Sequence, residues 1–401
     1  MTSRGSQADH GARTGRQAPL SGRQGASADD RAFCVEPRPV DTIADARRAA
    51  GKTALSVFTR SASDRESVLL PELVALTSHH RANSVEYDRI LSSLGVPSEF
   101  GRIADLPWLP VRMFKTHDLK SIPDAEVFKT LTSSGTTGAG ASRIYLDKDA
   151  AAAQTRHLGA TLQEVLGGER LPMLMVDTIG IIKNRRSFSA RGAGVLGMAN
   201  FGRKHTYVLD EDDRPDVEAV KKFLAEYGDR PFLIFGFTFM VWQYLYEVAR
   251  EHRLDLSNGI LVHSGGWKKL IDRAVDNTEF RRRFAEDTGL TRIHNYYGMI
   301  EQIGTVFLEG PSGNSLYCPD FADVVIRDPQ TWAEQPVGVP GLIEVVSTLP
   351  RSYPGHVLLT EDLGVYNGID DGDWPGKHFS VLGRLPKAEA RGCSDTFAGA
   401  A

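Results

Sequence analysis

Apolar residues recur at helical spacing between positions 66 and 77, where Leu69, Leu70, Leu73, Val74 and Leu76 fall on one side, the period of a helix packed on a core. Upstream, Asp41 and Thr42 are placed to cap a helix over 43–50, so that 40–94 as a whole reads as helical. The period then changes. Pro107, Pro110 and the alternating Val111, Arg112, Met113 and Phe114 predict an extended segment passing through Lys115. Asp147 stands where an N-cap is needed, and a helix is expected from there to about residue 165. Further on, β-like runs at 173–176, 232–235, 260–264 and 293–297 alternate with helical stretches at 214–227, 239–252 and 268–287. That alternation predicts an α/β sheet covered by helices. Later runs at 321–326, 341–347 and 357–360 have few helical stretches between them and predict hairpins of a smaller β subdomain.

The chain has 401 residues, 41% of them hydrophobic, enough to bury a sizeable core. The expected organisation is a disordered tail (1–32), a helical lead-in (33–100), a core domain (101–380) and a hinge with a short tail (381–401). With 47 basic against 51 acidic residues the formal net charge is −4, which gives no reason to expect nucleic acid or a membrane surface as partner. Cys34, Cys318 and Cys393 are far apart, with no Cys-x-x-Cys pair to suggest zinc, and such sparse cysteine usage fits a reducing cytoplasm. The first thirty residues lack the apolar core of a secretory signal, and Asp9, Asp29 and Asp30 interrupt the charge pattern of a transit peptide. The most hydrophobic stretch, 232–246, falls short of the roughly 20 residues a membrane helix needs and contains Gly236 and Gln243. No membrane span is expected.

Candidate chemistry concentrates in a few loops. Thr132, Ser133, Ser134, Gly135, Thr136, Thr137 and Gly138 follow a β-like run, and glycines that turn backbone N–H groups inward beside uncharged hydroxyl donors can wrap a phosphate. A flexible linker has a similar composition. Because Ala139 follows where a Walker loop requires lysine, ordinary kinase or GTPase chemistry is disfavoured. Glu301, just after Tyr297 and Gly298, is either a Mg²⁺ carboxylate or a surface glutamate after a turn. The Thr360-Glu361-Asp362 step either accepts the hydroxyls of a ribose or ends a strand. Arg384 offers a fixed fork of donors to a phosphate or ribose, or belongs to a solvated basic turn. Gly265 and Gly266 can let a flat ring approach the backbone, or form a tight turn beside a core histidine, His263. The aromatic run from Phe235 to Trp242 can line an alkyl channel, but core packing explains it better.

In this order the motifs resemble those of the adenylate-forming superfamily, and within it the acyl-protein synthetase (LuxE-type) family. The resemblance rests on Phe114-Lys115-Thr116, Ser133-Ser134-Gly135-Thr136-Thr137-Gly138, His263-Ser264-Gly265-Gly266-Trp267-Lys268, Tyr297-Gly298-Met299-Ile300-Glu301, Gly383-Arg384 and Arg391-Gly392-Cys393-Ser394. It implies a large adenylate-forming domain without the full C-terminal domain of many relatives, with ATP and Mg²⁺ as cofactors. The reaction implied is ATP-dependent activation of a carboxylic acid, a long-chain fatty acid, as acyl-AMP, followed by transfer to Cys393 as a thioester for a reductase or acyltransferase partner. Thr132 to Gly138 would hold the β- and γ-phosphates, Glu301 the metal, Gly265, Gly266, Tyr297 and Gly298 the nucleotide, Asp362 the ribose, and Arg384 the ribose or α-phosphate region. Without the C-terminal domain that brings an active-site lysine to the carboxylate in many relatives, the adenylation step is left without an obvious lysine, and two motifs also depart from the superfamily. Its loop usually ends in Pro-Lys-Gly where Gly140, Ala141 and Ser142 stand, leaving Arg143 to supply the charge, and its Thr-Gly-Asp reads Thr360-Glu361-Asp362. An acyl- or aryl-CoA ligase resembling phenylacetate-CoA ligase and a non-catalytic subunit of an acyl-transfer complex are the competing expectations.

Overall fold

The computed structural model describes residues 56–97, 99–133, 140–183 and 190–385. The expected tail, the helix expected over 43–50, loop residues Ser134, Gly135, Thr136, Thr137 and Gly138, and Cys393 lie outside the described residues. In chain order the strands are β1 (Leu109–Pro110), β2 (Lys129–Thr132), β3 (Arg143–Leu146), β4 (Leu171–Thr178), β5 (Gly202–Leu209), β6 (Phe232–Phe237), β7 (Gly259–Ser264) and β8 (Arg292–Tyr297). They are followed by β9 (Phe307–Glu309), β10 (Leu316–Tyr317), β11 (Ala322–Arg327), β12 (Gly341–Ser347), β13 (Val357–Ile369) and β14 (Lys377–Arg384). The longer helices are α1 (Ala62–Asn83), α2 (Val85–Ser93), α3 (Lys148–Leu166), α4 (Ala190–Ala199), α5 (Val217–Tyr227) and α6 (Asn277–Thr288).

The four central apolar runs become parallel strands. β5, β4, β6, β7 and β8 pair side by side in that order, all parallel, and β4 and β6 are buried along almost their whole length, as strands covered on both faces by helices must be. At β8 the sheet changes character. β9 joins β8 antiparallel, and the same sheet continues through β10, β14, β13 and β12 to β11. β1 adds to β13 in parallel, and β2 with β3 forms a separate hairpin. The expected β-rich part is thus joined edge to edge to the parallel half in one twelve-stranded sheet.

Local chemistry sets the helix boundaries. Asp147 caps α3 by accepting from Ala150 N at 2.7 Å, and Asp216 caps α5 through Ala219 N at 3.0 Å. The helix expected over 268–287 is two pieces. Lys268–Arg273 is a tight 3₁₀ stretch, and Asp276 starts α6 afresh by accepting from Glu279 N at 2.8 Å. The segment expected to be extended through Lys115 is also different. Strand pairing to β13 ends once Val111 N donates to Leu359 O at 2.9 Å, and the backbone then turns helical over Met113–Thr116 as Phe114 enters the core. The Phe235 to Trp242 run packs inside the parallel half, with Trp242 stacked on Tyr246 at 4.4 Å. These side chains are core in the described conformation.

Candidate active site

The change from parallel to antiparallel pairing brings the candidate residues together, since the carboxyl ends of β6, β7 and β8 open beside the outer end of the β13–β14 pair. Ligands of open α/β sheets bind at such ends. Side-chain hydrogen bonds tie the strand ends into one wall: Thr238 Oγ1 bonds His263 Nδ1 at 2.9 Å and donates to Ser264 O at 3.2 Å, while Ser264 Oγ donates to Tyr296 O at 3.0 Å. His263 is therefore a packed core histidine, stacked on Phe280 and held neutral by burial with a pKa lowered to about 3. Gly265 follows with φ +81°, a conformation that favours glycine. Gly266 is exposed, and a Cβ there would meet open space. Gly298 has the opposite environment, because a Cβ would stand 3.2 Å from Thr305 O and Val306.

Tyr297 closes β8 and donates its hydroxyl to Asp362 Oδ2 at 2.7 Å. Burial foremost, then the Asp362 charge, pushes the phenol well above its ordinary pKa, so it stays a donor. Asp362 is register partner to Arg384 across β13 and β14, with Arg384 Nε 3.5 Å from Asp362 Oδ1. Its backbone is held by Thr360, which accepts from Asp362 N at 3.1 Å and donates to Ile343 O at 2.7 Å. Glu361, which replaces the glycine of the superfamily motif, accepts from Arg112 Nε at 2.7 Å and lies 3.9 Å from Arg384. The β1–β13 pairing delivers Arg112, which sequence reasoning did not single out; its signal was its place just before Phe114-Lys115-Thr116.

The hydroxyl and glycine loop caps the β2–β3 hairpin. Thr132 pairs with Arg143, Ser133 N donates to Ser142 O at 3.1 Å, and Ser142 N donates to Ser133 Oγ at 2.8 Å. The loop's two ends are therefore stitched into a neck. Arg143 is half exposed at its foot, 3.8 Å from Asp118. Ser142 also connects the neck to Glu301. Its hydroxyl is buried without completing a hydrogen bond, yet it lies near enough to act on the Glu301 carboxyl. Glu301 is only 8% exposed. Burial pushes its pKa up, against the Ser142 hydroxyl and the charges of Lys115 and Arg384. Among the described residues no group of three or more His, Cys, Asp or Glu side chains gathers as a metal site. Cys318 is fully buried and its thiol is pushed up by burial, which makes it a poor nucleophile.

Tyr297, Asp362 and Arg384 thus contact one another, Glu301 lies within reach of the Ser142 hydroxyl at the loop neck and of the Arg384 charge, and Gly265 and Gly266 follow the neighbouring strand end. The sequence matches the family of acyl-protein synthetases, LuxE, over residues 56–401. It is 24% identical over 335 residues to the long-chain-fatty-acid–luciferin-component ligase of Vibrio harveyi, covering 79% of this chain and 83% of that protein. The fold is similar to that of 2-hydroxyisobutyryl-CoA ligase bound to 2-HIB-AMP in its postadenylation state, at 18% identity and a TM-score of 0.63, covering 83% of this chain and 72% of that one. The open conformation of that ligase, with 2-HIB-AMP and CoA, gives a TM-score of 0.62 at 18% identity, covering 84% of this chain and 80% of that one. Among the described residues no helix is long and apolar enough to cross a membrane.

Proposed function

The chain belongs to the acyl-protein synthetase family, and from that membership we propose that this ligase couples ATP to a fatty acid and carries the acyl group on its own Cys393 for a reductase partner. The observation that carries the reading is the Tyr297–Asp362–Arg384 cluster, with Arg384 acting also on Glu301, which Ser142 links to the neck of the hydroxyl and glycine loop. A carboxylate is a poor acyl donor because its oxygen is a poor leaving group. In the first step a carboxylate oxygen attacks the α-phosphorus, an O–P bond forms, the bond to the β-phosphate oxygen breaks, and pyrophosphate leaves with the electron pair. Protein groups serve such a step by positioning and by stabilising charge.

Asp362 accepts the ribose hydroxyls with the lone pairs that Tyr297 and Arg384 leave open, and those two side chains fix its orientation. Arg384 faces the α-phosphate region, while Thr132, Ser133 and the loop residues Ser134 to Gly138 donate to the outer phosphates, with Arg143 at their foot. Gly266, where a Cβ would meet open space, leaves the wall beside Gly265 open to the adenine. Glu301 suits Mg²⁺: a buried carboxylate with no ion pair among the described residues is costly unless a cation compensates it, and Mg²⁺ takes one or two carboxylates besides phosphate oxygens and water. Bound there, Mg²⁺ would offset phosphate charge.

In the second step the Cys393 thiolate attacks the acyl carbon, a C–S bond forms, the bond to AMP breaks and AMP leaves. The family match runs through Cys393. Incubating the full chain with labelled fatty acid and ATP should give a covalent label that hydroxylamine releases and that Cys393→Ser abolishes. Undiminished labelling of Cys393→Ser would remove the acceptor assignment.

A further inference from the structure

The turn Met113–Thr116 lies between the loop neck and Glu301, and it carries a cation that the adenylation reading leaves unused. On one side it meets the hairpin: a Cβ built on Gly140 would stand 2.6 Å from the Lys115 carbonyl oxygen. The chain leaving the loop therefore passes against Lys115 with room for glycine alone. On the other side Phe114 is buried edge-on against Tyr353, ring centroids 6.0 Å apart. A Cβ on Gly355 would in turn reach the Tyr353 ring and stand 2.7 Å from the Glu301 carbonyl oxygen. The start of the turn is anchored too, by Val111 N on Leu359 O and by Arg112 on Glu361. Half-buried Lys115 thus sits on a backbone fixed between the phosphate loop and the metal carboxylate. The charges of Lys115 and Arg384 both reach the Glu301 carboxyl.

The loop itself offers amides and hydroxyls without a charge, and a triphosphate that develops further charge on its leaving group calls for a fixed cation. We infer that Lys115 binds the phosphate oxygens of ATP and stabilises departing pyrophosphate, a role resting on the adenylation reading above. Arg112 of the same turn is engaged by Glu361, and the backbone of Lys115 is the part of the turn that meets the loop end at Gly140.

Full-length Lys115→Met and Lys115→Arg test this through four measurements: acid-dependent pyrophosphate exchange, binding of ATP and of AMP, transfer from supplied acyl-adenylate to Cys393, and thermal melting. Lys115→Met should lose exchange about a hundredfold and bind ATP about tenfold more weakly. Its AMP affinity, acyl transfer and melting should match the wild type, and Lys115→Arg should recover part of the loss. If wild type exchanges and Lys115→Met exchanges as fast, the lysine assignment is overturned while adenylation stands. If wild type binds ATP without exchange, adenylation fails, and the ATP affinity of Lys115→Met alone decides the lysine's role. A uniform loss of ATP binding, AMP binding and transfer with a lowered melting point would assign Lys115 to holding the turn and overturn the inference, as would a wild type that binds no ATP.

Discussion

Asp362 is held by two neighbours of unequal strength, a 2.7 Å hydrogen bond from Tyr297 and a 3.5 Å approach of Arg384. Removing the shorter contact leaves a carboxylate that Arg384 can draw out of position, because hydrogen bonds to charged groups contribute about 1.5–3 kcal/mol. Tyr297→Phe is therefore expected to weaken ATP and AMP alike by about tenfold, leaving the apparent affinity for the acid unchanged. Calorimetric titration with each nucleotide checks it, and equal affinities in variant and wild type would take Asp362 out of the ribose role. The neighbouring Glu361 shows how a departure from a motif gains a local reason. A glycine there has no side chain to meet Arg112, whereas the carboxylate here accepts from Arg112 at 2.7 Å and fastens the 109–116 segment to β13.

At the scale of elements, the β2–β3 hairpin depends on the space around its neck. Gly140→Ala would put a Cβ 2.6 Å from a backbone oxygen that cannot swing aside, so the neck must shift. The β2–β3 hairpin stands outside the large sheet, and that shift should slow pyrophosphate exchange at least about tenfold with little change in melting temperature. Gly266→Ala is the counterpart. Its Cβ enters open space, so folding should be unaffected, and only nucleotide affinity should fall if a ring lies against it. Which elements could be read in advance follows from burial. β4, β6 and β7 are apolar on both faces and stand out as short runs. β5 carries Arg203, Lys204 and His205 exposed at a sheet edge, and β14 ends in exposed residues, so neither shows an apolar period. The turn at Met113–Thr116 was masked by an alternation that tertiary contact with β13 cuts short. Motif order singles out Tyr297, Asp362, Glu301 and Arg384 in the sequence, and Lys115 stands in the Phe114-Lys115-Thr116 motif, whereas the contacts of Arg112 with Glu361 and of Ser142 with Ser133 come from tertiary pairing that no spacing reveals.

At the scale of the whole molecule, the buried histidines His80, His263, His294 and His356 all have lowered pKa values, in different parts of the sheet and its covering. His80 and His356 share a polar pocket beneath α1, where His80 bonds Ser121 and Pro350 O and His356 bonds Thr77. His263 and His294 lie at β7 and β8. Burial is the main cause in each case, lowering His80 well below its ordinary value, His263 and His356 to about 3, and His294 to about 4. In the unfolded chain these groups titrate near 6.5. Below that pH the unfolded state binds protons that the folded state refuses, so the stability they contribute is full above pH 6.5 and is lost as the pH falls toward the folded values. The raised buried carboxyls of Asp177, Glu301, Glu309 and Glu344 oppose this trend, since their folded forms hold protons more tightly. A single substitution separates the two: in His356→Gln an amide that does not titrate replaces the ring near Thr77. Its chemical denaturation at pH 7.5 and pH 5.5 should show a smaller acid loss than the wild type by about 1.4 kcal/mol, the cost of one withheld proton a pH unit below 6.5. An identical acid loss in both proteins would mean that His356 is protonated in the folded state, and that its pocket under α1 is open to water.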